Sequence, residues 1–107
     1  MPKTNPGIER LRRNWKNAQR SADEAELAHA ALCQAYQEAA LAYRTAIGKV
    51  KGPNRSVLKK NVKRLRKEAL SLRTKCDKAR RRVREKHDKL SDCHGALVVA
   101  ENEEGEQ

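Results

Sequence analysis

From Ile8 onward, apolar or small residues return at alternating intervals of three and four: Ile8, Leu11, Trp15, Ala18, Ala22, Ala25, His29, Leu32, Tyr36, Ala39, Tyr43, Ala46 and Val50. Only His29 leaves the apolar class, and as a polar residue in such a seam it reads as a register-fixing position. This recurrence predicts one long amphipathic helix with a continuous seam down one face. Asn5 suits the N-cap, and Pro6 suits the first helical position, where a missing N–H costs nothing. Gly52-Pro53-Asn54 stops the helix, so the first arm is expected over 6–51 with a turn at 52–55.

A second seam follows: Leu58, Val62, Leu65, Ala69, Leu72, Cys76, Ala79, Val83, Lys86, Leu90, Cys93 and Leu97, with Lys86 alone out of class. It predicts a helix over 56–94 that frays or ends at Gly95, then a solvated, flexible acidic tail over 98–107. So short a turn forces the two helices to lie antiparallel, pairing residues whose numbers sum to about 108. Trp15 then sits beside Cys93, and Cys33 is level with Cys76. Arms of about 40 residues would each reach roughly 60 Å at about 1.5 Å per residue. The expected fold is all-α: a single domain over 1–97 built as a long antiparallel helical hairpin.

The first helix carries more small and apolar residues than one seam needs. Leu27, Ala28, Ala31, Ala35, Leu41 and Ala42 form a second face that a two-helix hairpin cannot cover. With 107 residues, no Phe, one Trp and two Tyr, the chain also has little with which to build a core of its own. Both features predict a homodimer in which the first helices meet, giving a four-helix bundle.

Charge changes the picture most. The net charge is +11, and residues 49–90 hold 18 Lys and Arg against four acids, Glu68, Asp77, Glu85 and Asp88. The four acids of residues 23–48 cannot balance that excess. Beside the second seam, Lys59, Arg66, Arg73, Arg80 and His87 recur every seven residues, flanked by Lys63 and Arg84, with Lys60, Arg64, Lys67, Lys78 and Arg81 further out. Like charges three and four residues apart weaken a helix by a few tenths of a kcal/mol per pair, a cost that a bound polyanion would relieve. Arg44, Lys49, Lys51 and Arg55 add a basic cluster at the turn.

The three aromatics all fall on seam positions, so they offer no platform for stacking single-stranded bases. The charge runs along the side of a helix rather than at the tip of a short reading helix. Such a stripe suits phosphate and sugar contacts along a duplex, read by shape, with duplex RNA favoured over DNA. An anionic lipid surface, or an acidic protein docked on the basic arm of a coiled-coil adaptor, is the alternative.

Catalysis finds no support in the residues: there are no paired carboxylates in a plausible pocket, no Gly-rich phosphate loop and no Ser/His/Asp set. The chain is expected to be no enzyme and to need no cofactor. Cys76, His87, Cys93 and His94 lack zinc-site spacing, so no metal is expected. Side-chain direction alone decides whether Cys33 and Cys76 can cross-link. A basic, leaderless start, no apolar run of membrane-spanning length and an odd count of three Cys point to a reducing, cytoplasmic setting.

Ala42-Tyr43-Arg44, followed by Lys51-Gly52-Pro53-Asn54-Arg55 and a helical segment, resembles the RNA-silencing suppressors of nodaviruses. That family consists of small helical dimers that bind double-stranded RNA along one face without sequence preference. The resemblance implies a viral protein in the host cytoplasm that shields duplex RNA, with host RNA-silencing proteins as further partners. It carries over Arg44, Lys49, Lys51 and Arg55. The chain departs from the family in its unbroken first helix and its longer, more basic second one.

Overall fold

The computed structural model describes residues 6–105, and these form two long α-helices: α1, Pro6–Gly48, and α2, Arg55–Gly105. No strand occurs among the described residues. Asn5, the expected N-cap, lies outside them. The chain divides into two compact units, one made of Met1–Glu26 with Arg81–Gln107 and the other of Leu27–Arg80. In each unit a stretch of α1 packs antiparallel against a stretch of α2.

In the first unit the tilted rings of Trp15 and His94 meet with centroids 6.0 Å apart. Arg12 donates from Nε and Nη2 to Glu101 Oε1 at 3.4 and 3.3 Å, and His87 pairs with Glu26 through Nε2 and Oε1. The buried residues are Ile8, Ala18, Ala22 and Ala25 from α1 and Leu97 from α2. Three of the five are alanines, whose size allows the two backbones to approach closely. In the second unit Ala69 is buried, and Leu32, Tyr36, Ala39, Tyr43, Leu58, Val62, Leu65 and Leu72 are half-buried around the seam.

Every position of both expected seams is buried or half-buried, His29 and Lys86 included. Lys86 is half-buried, which a lysine tolerates because its aliphatic stem can cover apolar surface while the ammonium stays in water. Trp15 meets His94, the neighbour of Cys93, in the first unit. Cys33 is level with Cys76, as expected.

The helix limits differ from the sequence reading at two places. α1 ends at Gly48 rather than at residue 51. The N–H groups of Lys49 and Val50 bond to Ala46 and Ile47 three residues back, so the last turn tightens and the helix stops. Gly48 resists helix, and Gly52 takes a left-handed φ of 85° that Pro53 follows. Asn54 O accepts from the Leu58 N–H at 3.0 Å and so starts α2.

The second difference is larger. α2 runs through Gly95 to Gly105, so residues 98–105 of the expected tail are helical. Leu97 is 7% exposed and Ala100 half-buried, and Ala100 lines one groove with Ile8 and Leu11. This burial offsets the roughly 1 kcal/mol that a glycine costs inside a helix. Arg12 also holds Glu101, though at such exposure the pair contributes about 0–1 kcal/mol. No described helix is long and apolar enough to cross a membrane.

Gly95 gives a test of this extension. A Cβ built there meets nothing within 4 Å. Gly95→Ala is expected to stabilise the protein by about 0.5–1 kcal/mol, seen as a higher midpoint in urea at unchanged slope. Destabilisation would mean that the helix breaks at Gly95.

Candidate nucleic-acid interface

The basic stripe is built by α2 within the second unit. A seven-residue recurrence brings Lys59, Arg66, Arg73 and Arg80 to one side of the helix, about 10.5 Å apart along its axis. All four are exposed, and so are Lys60, Lys63, Arg64 and Lys67 beside them. Arg64 Nη2 donates to Asn61 Oδ1 at 2.8 Å, which holds one guanidinium along the helix. Arg44 lies near the end of α1, Lys49 and Lys51 in the connection, and Arg55 at the first residue of α2, all exposed.

Two electrostatic facts set these cations apart. Among the described residues the ion pairs are Arg12 with Glu101 and His87 with Glu26, both in the first unit. None of the candidate cations takes part in one. Secondly, the charge order along α2 opposes its own dipole. Its first turn has no acid and begins at Arg55, and its last turn has no base. Each such misplacement costs about 0.3–1 kcal/mol at low ionic strength. The dipole therefore does not account for Arg55, the candidate cation in that first turn.

Not every expected member of the stripe is placed with it. The His87 imidazole is engaged by Glu26. Arg84 is exposed but belongs to the first unit. The three aromatics, Trp15, Tyr36 and Tyr43, are half-buried in the seams, leaving no aromatic platform among the described residues.

The second small-residue face of α1 also lies in the second unit. Leu27 is 72% and Leu41 64% exposed, with Ala28, Ala31 and Ala42 open to solvent and Ala35 half-buried. Gln34 and Glu38, joined by a 3.5 Å hydrogen bond, interrupt this face with polar atoms. A groove lined by Leu41, Ala42, Leu58 and Leu65 borders it.

The sequence sets Cys33 level with Cys76 but does not bring His29 to the pair, as the structure does. Cys33 Sγ lies 2.9 Å from Cys76 Sγ across the two helices, and 3.3 Å from His29 Nε2 one turn away. All three residues are half-buried. The Cys76 thiol is pushed above its usual ionisation range, first by its hydrogen bond with Cys33 and then by loss of solvent. The available signal was the four-residue step from His29 to Cys33, which puts both side chains on one helix face.

Compared with known proteins, the chain matches no family, no curated protein and no solved structure.

Proposed function

We propose that the chain binds double-stranded RNA without reading its sequence, through the phosphates facing Lys59, Lys63, Arg66, Arg73 and Arg80. One observation carries this reading: a row of exposed cations on α2 has no intramolecular ion pair among the described residues. Phosphates at regular spacing supply the missing counter-charge. The turn cations Arg44, Lys49, Lys51 and Arg55 extend the contact at one end of the unit. The absence of an aromatic platform among the described residues favours a duplex over a single strand.

The working protein in this reading is a homodimer joined through the Leu27, Ala31 and Leu41 face. Its biological role is that of a viral suppressor of RNA silencing in the host cytoplasm, covering duplex RNA against the host's silencing proteins. Binding, not catalysis, is its activity, and it needs no cofactor to carry it out.

Gel-shift titrations with duplex RNAs of unrelated sequence, the matching duplex DNA and each single strand test this. The duplex RNAs are expected to bind alike, and single-stranded RNA at least about ten-fold more weakly. Equal affinity for duplex DNA removes the RNA preference. Absent or salt-insensitive binding removes the nucleic-acid reading, and points to an acidic protein or lipid partner.

A further inference from the structure

We propose that His29, Cys33 and Cys76 form a binding site for a thiophilic divalent cation of the zinc type, with three protein ligands and a fourth position open to solvent. The inference is independent of the duplex-RNA reading, because none of the three residues belongs to the basic stripe.

Three kinds of observation carry it. A ring nitrogen of His29 and Sγ of Cys33 and Cys76 all lie within 4.8 Å of one another. Tetrahedral zinc, with bonds of about 2.3 Å to sulfur and about 2.0–2.1 Å to nitrogen, separates two sulfurs by about 3.8 Å and sulfur from nitrogen by about 3.6 Å. Against those spacings the structure has 2.9 Å between the sulfurs and 3.3 Å between Cys33 Sγ and His29 Nε2. A parting of the sulfurs by about 0.9 Å, within reach of small side-chain rotations, opens the central position.

Placement is the second. His29 and Cys33 stand four residues apart on α1, the step that lets one helix face offer two ligands to one ion, and Cys76 answers from α2. An ion there would tie the two helices of the second unit together. Half-burial leaves a path for entry while reducing competition from water.

Chemistry is the third. Two thiols and an imidazole select soft or borderline cations, and the absence of a carboxylate ligand disfavours calcium and magnesium. On binding, each thiol loses its proton to solvent and both sulfur lone pairs enter metal bonds, with no change of oxidation state. Two thiolates and a dication sum to zero charge, so the ion adds no repulsion beside Arg73 and Arg80. A disulfide would use the sulfurs alone and give the converging imidazole nothing to do.

The test uses the full chain, kept reduced with a phosphine and titrated with Co²⁺. The expected result is one equivalent per chain with thiolate-to-cobalt charge-transfer bands and tetrahedral visible bands, both removed by Zn²⁺. Cys33→Ser and Cys76→Ser lose the thiolate bands or shift them to a single-thiolate pattern. His29→Gln weakens binding about ten-fold or more, and Cys93→Ser leaves it unchanged. Circular dichroism reports whether each variant remains helical. A second readout needs no variant: Zn²⁺ protects two of the three thiols of the natural chain from alkylation, leaving Cys93 reactive. Absence of thiolate bands in the helical protein, loss of the bands in Cys93→Ser, or equal alkylation of all three thiols overturns the proposal. Loss of two hydrogens on air exposure, with no cobalt bands in the reduced chain, also overturns it and assigns the pair to a disulfide.

Discussion

The triple variant Lys59→Glu, Arg66→Glu and Arg73→Glu is expected to lose about 100-fold or more in affinity for duplex RNA at moderate salt, and to become less salt-dependent. Each cation that neutralises a phosphate releases condensed counterion and adds about 0.7–0.9 to the slope of log affinity against log salt. Removing three should lower that slope by about 2 to 3. Reversal goes further than neutralisation, because each glutamate now repels the strand.

Folding should survive the change. The three side chains are exposed and have no ion pair to lose. A glutamate at 59 stands four residues from Arg55 and Lys63, and one at 66 three from Lys63, so repulsion falls there and outweighs the one new like-charge pair, between a glutamate at 73 and Asp77. The melting temperature should stay level or rise slightly as binding collapses. A control separates the stripe from net charge. Arg10→Glu, Arg13→Glu and Lys16→Glu make the same change in charge at exposed positions of the first unit. If the control lowers affinity and slope as much as the α2 variant, binding is diffuse and the stripe has no special place in it.

The sequence made the seams legible because a buried stripe on a helix repeats with the helix. From Ile8 to Val50 and from Leu58 to Leu97, spacing alone identified the covered positions. His29 and Lys86 were included despite their polarity, because geometry places a residue before chemistry judges it. Helix limits were less legible. Gly95 is a local signal against helix, whereas Leu97 and Ala100 are tertiary signals for it, and only packing shows which is stronger. The step from Leu97 to Ala100 does continue the seam spacing, and was the clue available.

The cations were legible as a pattern on one helix, but their lack of ion partners was not. A row of Lys and Arg looks the same in sequence whether or not an acid on the neighbouring helix meets it. His87 shows the difference, since it shares the heptad position of Arg80 yet is met by Glu26. The cysteine cluster was hidden for a related reason. Register set Cys33 level with Cys76, but whether two side chains converge depends on directions that spacing does not carry.

The double variant Leu27→Glu and Leu41→Glu is expected to turn a dimer into a monomer, raising its dissociation constant by about 100-fold or more. Leu27 and Leu41 stand fourteen residues apart, two heptads along one side of α1, and both are largely exposed in the single chain. Their replacement removes little packing within a chain, so the monomer's own stability should move by only about 0.5 kcal/mol. Across a two-fold interface the same change acts four times. Fully burying a leucine is worth about 1.5–3 kcal/mol, and four carboxylates in place of four leucines add desolvation and mutual repulsion. Sedimentation equilibrium should give twice the chain mass for the natural protein and the chain mass for the variant. Mass action supplies a second check: the natural protein's melting temperature should climb with concentration while the variant's stays fixed. Duplex affinity should fall as well, because a dimer presents two basic stripes to one duplex and a monomer only one. A natural chain that is already monomeric at high concentration removes the bundle, and leaves duplex binding to the single stripe of α2.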